Sequence, residues 1–216
     1  MTEYPVAVAG PRARRISPVR QGFYIAFLIF AAVVLYGFAV KGLVPFRVPS
    51  NSMLPTLRPG DFIFAVPQKE YHRGDIVVLH DPLQPGGYLV KRLAGMPGDR
   101  IEIDYGYMAV NGKYASEPYL PEPINYALGE QDVAEGEVLV LGDNRNESDD
   151  ASRWLIDPAT GQAVDASNRS DDMVNGKKWK RTVPLSTIVG KVVYRYLPFD
   201  RMGFIESFPL TNSEGE

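Results

Sequence analysis

The sequence predicts a mainly β protein, an antiparallel β-sandwich or partial barrel, that follows one N-terminal transmembrane helix. The first observation is a long apolar run near the N-terminus, and the second is a series of short apolar runs separated by glycine turns. No stretch after residue 45 shows sustained 3.6-residue periodicity, which argues against further helices. With 216 residues and 45% hydrophobic content, the chain is expected to bury one sizeable core.

Composition excludes several classes of function. A net charge of −3 argues against a nucleic-acid partner. The absence of cysteine excludes a thiol nucleophile, a disulfide framework and a cysteine-ligated metal. The two histidines, His72 and His80, are not spaced as a His-x-x-x-His zinc site, so each is interpreted as a lone exposed or core histidine.

The N-terminal part predicts a basic tail followed by a membrane anchor. Residues 1–21 carry four arginines against one acid, which is typical of a short unstructured tail. Gly22 to Val40 are nineteen residues without a charge, and a helix of that length, at about 1.5 Å per residue, spans nearly the ~30 Å hydrocarbon core. We therefore predict a transmembrane anchor at residues 22–44. A cleaved signal peptide is the alternative, but its apolar region is usually ~7–15 residues, and residues 41–44 are no small-x-small cleavage site.

The charges that flank the apolar run predict its orientation. Four arginines precede the run, whereas Lys41 and Arg47 follow it. Because cytoplasmic flanks carry the excess of basic residues, the N-terminus is expected in the cytoplasm and the domain from residue 45 onward on the outer side.

The domain predicted at residues 45–210 repeats one local pattern, in which a glycine turn precedes a short run of β-forming residues. Such runs cover residues 62–64, 76–79, 101–103 and 138–141. Residues 88–95 and 189–197 predict two further strands, and Asn111-Gly112 predicts a type I′ hairpin turn.

Two later segments lack this pattern. Residues 154–181 are rich in polar and charged side chains without apolar alternation, and we interpret them as a long surface excursion. Residues 211–216 are interpreted as a polar tail.

Residues 49–57, PSNSMLPTL, contain the candidate nucleophile, Ser52. Two prolines constrain this segment, and short polar side chains lie between them. The alternative interpretation is a Pro-Ser-rich linker that leaves a transmembrane helix. A serine nucleophile needs a base, but His80 and Asp81 cannot form a His-Asp arm because neighbours on a strand point to opposite faces. The chain also has no Gly-x-Ser-x-Gly and no Ser-x-x-Lys motif.

Lys91 is the better candidate for the base. Alternation along residues 88–95 places it on the face shared by Leu89 and Leu93. A lysine with a pKa of about 10.4 is neutral in only about 0.04% of molecules at pH 7, whereas a pKa lowered by burial to about 8.5 gives about 3%. The alternative is a lysine that lies along a sheet edge with its amine in water.

Four segments in order resemble the bacterial type I signal (leader) peptidases. These segments are PSNSMLPTL at 49–57, GDIVV at 74–78, KRLAGMPGD at 91–99, and GDNR at 142–145 with Ser148 following. The resemblance covers about residues 22–153 and resumes from Val183 to Gly203.

The resemblance implies a role for each matching residue. Ser52 would be the acylated serine and Lys91 its general base. The Ser50 hydroxyl would join the Ser52 N–H in the oxyanion hole, and Ser148 would orient the lysine amine. Structural ion pairs would join Arg92 to Asp143 and Asp150 to Arg153, although residues 149–153 are one residue longer than the family pattern, which leaves two registers open for the second pair.

The function that this resemblance implies is removal of N-terminal signal peptides from exported preproteins, through an acyl-enzyme and without a metal or cofactor. The protein would be a single-pass enzyme of the bacterial inner or plasma membrane, in contact with the lipid bilayer and active as a monomer. Two alternatives stay open: a catalytically inactive membrane-anchored β module that binds exported chains, and a dedicated secretion or conjugation peptidase with one substrate.

Overall fold

The computed structural model describes residues 17–165, 173–174 and 177–208 of the chain. The chain divides into two compact units, Met1–Val40 and Lys41–Glu216. The described part of the second unit is mainly antiparallel β-structure, which confirms the predicted fold class. The predicted polar tail at residues 211–216 lies outside the described residues, as does most of the predicted basic tail.

Helix α1, Pro18–Lys41, begins before the uncharged run that predicted it. Proline is favoured at a first helical position because its missing N–H is not needed there, and the Arg20 N–H is capped by Ser17 Oγ at 3.4 Å. Apolar side chains of this helix are exposed, with Phe23 71% exposed. The stretch Pro18–Gly37 is long and apolar enough to cross a membrane.

Sixteen strands follow the helix in the described part of the chain. The first eight are β1 (Val44–Arg47), β2 (Phe62–Val66), β3 (Ile76–His80), β4 (Tyr88–Gly95), β5 (Arg100–Asp104), β6 (Tyr107–Val110), β7 (Lys113–Tyr114) and β8 (Leu128–Asp132). The others are β9 (Glu137–Leu141), β10 (Trp154–Ile156), β11 (Ala163–Asp165), β12 (Met173–Val174), β13 (Lys177–Lys178), β14 (Val183–Pro184), β15 (Ile188–Leu197) and β16 (Gly203–Phe204). Each run predicted as a strand lies within one of these elements.

Two antiparallel sheets contain most of the strands. The larger has the order β1-β2-β15-β3-β4-β9-β14, and β16 pairs with β15 beyond the end of β3. The smaller has the order β7-β6-β5-β8 and is inserted in the chain between β4 and β9. The predicted hairpin is confirmed, because Asn111 and Gly112 have φ angles of 54° and 76° and connect the paired strands β6 and β7.

Strand β3 is buried on both faces and separates two hydrophobic cores. Val77 and Leu79 pack in the larger core with residues of the smaller sheet, such as Met108. Ile76 and Val78 pack in the other core. Strand β3 therefore lies between the smaller sheet and the residues of the second core, which include Met53 and Leu57.

The interpretation of residues 154–181 as a surface excursion needs correction at both of its ends. Trp154 is 1% exposed, and β10 pairs with β11. The Trp154 indole N–H donates to the Arg181 carbonyl oxygen at 2.9 Å, and Arg181 is itself 1% exposed. The three apolar residues at 154–156 are buried, and Trp154 and Ile156 pack in the larger core. Residues 166–172 and 175–176 lie outside the described residues.

Candidate active site

Ser52 lies in a short 3₁₀ helix, Asn51–Met53, between β1 and β2. Val48 before the helix, Met53 at its end and Leu57 after it are all buried in the second core and anchor the segment. Ser52 itself is 8% exposed. The constrained segment is therefore a fixed part of the domain, which argues against a flexible linker.

The two serines of this segment are hydrogen-bonded to each other. The Ser50 hydroxyl donates to Ser52 Oγ at 3.2 Å. Ser50 has an extended backbone, with φ −133° and ψ 171°, and its side chain is exposed. Its hydroxyl is thus free to rotate from Ser52 Oγ to a group that approaches from solvent, as an oxyanion-hole donor must.

Lys91 is 2% exposed on β4, on the face it shares with Leu89 and Leu93. Its Nζ donates to the Ser148 hydroxyl oxygen at 3.0 Å, and Ser148 is fully buried. Burial lowers the pKa of the Lys91 amine below its usual value, and the nearby carboxylates, Asp150 first among them, oppose this shift only in part. A larger fraction of the amine is therefore neutral near pH 7 than in an exposed lysine.

Gly142 lies where Ser148 and the Ser52 segment meet. A Cβ atom built on Gly142 would be 2.6 Å from Ser148 Cβ, and closer still to Ser148 Oγ and to the Ser52 carbonyl oxygen. Because real Cβ atoms do not approach heavy atoms so closely, only glycine fits here. Gly142 thereby lets Ser148 lie against residues 49–57, the candidate nucleophile segment.

Asn144 ties the same loop to the nucleophile segment by two hydrogen bonds. Its N–H donates to the Ser52 carbonyl oxygen at 3.0 Å, and its side-chain amide donates to the Asn51 carbonyl oxygen at 3.3 Å. The backbone position of Ser52 is therefore set by the loop that carries Ser148. Sequence reasoning assigned no role to Asn144, although it lies within the GDNR segment.

The predicted pair of Arg92 and Asp143 is present and buried, with side chains 1% and 0% exposed. The guanidinium donates twice, from Nε and NH2, to the two carboxylate oxygens at 2.7 Å each. The Thr56 hydroxyl donates to the same carboxylate at 2.6 Å. Thr56 was not predicted as a site residue, and it links the pair to the nucleophile segment.

The predicted pair of Asp150 and Arg153 is replaced by other contacts. Asp150 is fully buried and accepts the Gly142 N–H at 2.7 Å and the Ser152 N–H at 2.9 Å. Arg153 has a partly exposed side chain that forms its ion pair with Asp149 at 3.4 Å and donates to the Asn146 carbonyl oxygen at 2.8 Å. Two backbone donors satisfy the buried Asp150 carboxylate, so it needs no basic partner in this loop.

This arrangement is suited to acyl transfer. A neutral lysine amine that donates to Ser148 keeps its lone pair available to accept a proton from another hydroxyl. No hydrogen bond joins Lys91 to Ser52 within the described residues, and catalytic hydrogen bonds often close only when substrate binds. The contacts of His80 and Asp81 within the described residues do not include a hydrogen bond to each other: His80 packs on Tyr88, and Asp81 accepts the Leu83 N–H.

Comparison with known proteins places this geometry in context. A family model described as "Signal peptidase, peptidase S26" matches residues 21–197. The chain is 33% identical over 176 residues to the probable signal peptidase I-1 of Synechocystis sp., which covers 76% of either chain. It is 29% identical to signal peptidase I of Leptolyngbya laminosa, over 92% of this chain and 90% of that protein. It is 34% identical to signal peptidase I of Bacillus licheniformis, over 61% of this chain and 78% of that protein.

Proposed function

Because the chain belongs to the signal peptidase family, peptidase S26, we propose that Ser52 is its nucleophile and Lys91 its general base. The chain is a serine endopeptidase that removes signal peptides, and its substrates are exported preproteins. The observation that carries the residue assignment is the buried Lys91 amine of lowered pKa, held by Ser148 in the loop that contacts Ser52. A catalytically inactive β module would have no need to bury this amine.

The reaction begins with proton transfer and attack. Ser52 Oγ adds to the scissile carbonyl carbon while its proton passes to Lys91 Nζ. The tetrahedral oxyanion accepts hydrogen bonds from the Ser52 N–H and from the Ser50 hydroxyl. When the C–N bond breaks, the Lys91 ammonium gives its proton to the leaving amine, and the signal peptide remains as an ester on Ser52.

Hydrolysis of the ester reverses these roles. Lys91 Nζ takes a proton from water as the water oxygen adds to the ester carbonyl. The second tetrahedral intermediate collapses with loss of Ser52 Oγ, which recovers the proton from Lys91. Ser148 keeps its hydrogen bond to the amine throughout and so directs the lone pair toward Ser52.

The direct test is incubation of the purified full-length protein with a preprotein in detergent, followed by mass determination of the new N-terminus. A cut on the C-terminal side of the signal peptide is expected. An intact preprotein, under conditions where circular dichroism shows a folded protein, would favour the binding-module alternative. Cleavage of one preprotein in a panel of many would favour the dedicated peptidase.

The family is membrane-anchored, and α1 has the length and apolar surface of an anchor. In the proposed organisation, residues 1–21 form a cytoplasmic tail, 22–44 the anchor, 45–210 the peptidase domain on the outer side, and 211–216 a polar tail. Bacterial inner or plasma membrane is the proposed location, with the protein active as a monomer. A tag at residue 216 that is protected from protease outside intact cells or spheroplasts would contradict this orientation.

Ser50→Ala is expected to lower kcat by about 10² to 10³ with KM little changed, because one of two oxyanion donors is lost. Steady-state cleavage of a preprotein measures this effect. Ser186→Ala is the matched control, since Ser186 is exposed and distant in sequence from the site. Equal kcat values for the two variants would remove Ser50 from the oxyanion hole.

Lys91→Met is expected to raise the stability of the fold relative to the wild type, and by a larger amount at lower pH. The native pKa of Lys91 lies below its unfolded value of about 10.4, so between these two pKa values the unfolded chain binds more protons and the native state loses stability as the pH drops. Methionine removes this proton linkage. The difference in Tm between variant and wild type should therefore grow as the pH falls below about 10.4 and level off below the native pKa of Lys91. A difference that stays constant, as expected for exposed Lys69→Met, would contradict the buried amine.

A further inference from the structure

Two side chains in the connection between β7 and β8 of the smaller sheet contact residues 142–148, which we call the catalytic loop because they include Ser148. These are Glu117, whose side chain is 5% exposed, and Tyr119, which is 5% exposed. Both lie inside the range that the family model matches but outside the four short motifs, at 49–57, 74–78, 91–99 and 142–148, on which the resemblance was recognised. Their contacts are nevertheless with the buried cations of that loop and its neighbouring strand.

Glu117 forms a two-pronged ion pair with Arg145. Arg145 NH1 donates to Glu117 Oε2 at 3.0 Å, and NH2 donates to Oε1. The Arg145 side chain is only 2% exposed, so its charge depends on this carboxylate for compensation. A further donor, Arg145 Nε–H, binds the Gly142 carbonyl oxygen at 3.1 Å. The Glu117–Arg145 ion pair therefore helps to fix the position of the Gly142 peptide, which contacts both Ser52 and Ser148.

Hydrogen bonds hold both the N–H and the carbonyl group of Gly142. Its N–H donates to the Asp150 carboxylate at 2.7 Å, and its carbonyl accepts from Arg145. Because there is no free space around its Cα, a shift of this peptide displaces Ser148 Oγ or the Ser52 carbonyl. The orientation of the Lys91 amine depends on Ser148, so the shift would reach the general base.

Tyr119 contacts both buried arginines of the site. Its hydroxyl donates to Glu117 Oε1 at 2.6 Å and fixes the carboxylate that binds Arg145. Its ring lies 3.9 Å from the guanidinium carbon of Arg92, which holds Asp143. Burial raises the pKa of Tyr119, so the phenol keeps its donor proton over the working pH range.

We propose that Glu117 and Tyr119 are positioning residues of the signal-peptide cleavage reaction, acting through Arg145 and Gly142 on the Ser148–Lys91 hydrogen bond. The inserted smaller sheet then has a function in catalysis, because it carries the segment that holds the catalytic loop. This inference rests on the proposed roles of Ser52 and Lys91.

Glu117→Gln in the full-length protein tests the inference. Glutamine keeps the shape and one acceptor oxygen but removes the charge that compensates Arg145. Because the segment touches no substrate in the proposed mechanism, kcat should fall about 10- to 100-fold, the cost of a small misplacement of reacting groups, while KM stays within about twofold. Tyr119→Phe keeps the ring over Arg92 and should lower kcat several-fold. Tyr119→Phe provides the test if the Glu117→Gln variant does not fold.

Asp99→Asn is the matched control. Asp99 is also a buried carboxylate beside the smaller sheet, where it accepts two hydrogen bonds from Arg73 and one from Asn111. Its contacts do not reach the catalytic loop. The control should lower Tm without lowering kcat per folded molecule, which separates loss of stability from loss of positioning.

A double-mutant cycle with Ser148→Ala gives the second readout. If Glu117 acts through Ser148, Glu117→Gln should cost much less in kcat once Ser148 is already alanine. Additive effects of the two substitutions on kcat would overturn the inference. So would a Glu117→Gln variant that, like the control, has a lower Tm but an unchanged kcat. Neither result would affect the proposed function. A wild type that leaves preproteins intact, or cleavage by Ser52→Ala at the wild-type rate, would overturn the proposed function together with it.

Discussion

Lys91→Met should abolish signal-peptide cleavage for practical purposes, with kcat/KM reduced by about 10⁴ to 10⁶, as expected when the base of a serine nucleophile is removed. Methionine has nearly the length of lysine and suits a buried position, so the fold should survive and be stabilised. The loss of activity would then be caused by the loss of proton transfer from Ser52 to Lys91. Cleavage of a preprotein, measured under single-turnover conditions, gives the rate, and circular dichroism reports the fold.

Ser52→Ala should give a similar loss, and the double variant should cost little more than either single change, because the two residues act as one unit. Lys69→Met is the matched control, since it makes the same substitution at an exposed lysine and should leave kcat/KM unchanged. In the wild type, kcat/KM should rise with pH up to the lowered pKa of Lys91, because only the neutral amine accepts the serine proton. Near-normal turnover by Lys91→Met at neutral pH would exclude the Ser-Lys mechanism.

Gly142→Ala should be the most damaging single-methyl change in the site, with kcat/KM reduced by at least about 100-fold. The added Cβ would overlap Ser148 and the Ser52 carbonyl oxygen. Neither neighbour is the flexible end of a long side chain, so either Ser148 or the segment of Ser52 must move. Preprotein cleavage and thermal unfolding together measure the cost, and a lower Tm is expected as well.

Gly129→Ala provides the control for Gly142→Ala. Gly129 lies in β8 with no heavy atom within 4 Å of an added Cβ, so its replacement should leave cleavage at the wild-type rate. If Gly142→Ala cleaved preproteins as fast as Gly129→Ala, the close contact of Gly142 with Ser52 and Ser148 would have no part in catalysis.

Strand positions were predictable because the signals for them are local. Alternation, β-forming residues and glycine turns lie within a few residues of each strand, and the runs at 76–79 and 138–141 correspond to β3 and β9. The same reasoning placed Lys91 with Leu89 and Leu93, since side-chain period in a strand is 2. Helix α1 begins at Pro18, before the uncharged run, and strand β10 was not predicted, because both depend on a few residues at the edge of a polar segment.

Contacts between distant segments were not predictable from local pattern. Asp150 was expected to pair with Arg153, yet its carboxylate accepts backbone N–H groups of Gly142 and Ser152. Glu117 lies 28 positions from Arg145 in the chain, and no spacing rule connects them. A buried charge takes whichever donors the fold delivers, and that choice depends on the packing of the whole domain.

Local residue order alone was enough to predict an apolar anchor followed by a β domain, because hydrophobic period and turn residues are properties of short segments. The proposed pairing of Ser52 with Lys91 came from the family resemblance of four short motifs in order. The tertiary structure lowers the pKa of Lys91 by burial and packs the Ser52 segment against the loop that carries Ser148. These properties arise from desolvation and from close contact among residues 52, 91 and 142–148, which the chain brings together only when β4, β9 and the nucleophile segment pack in one domain.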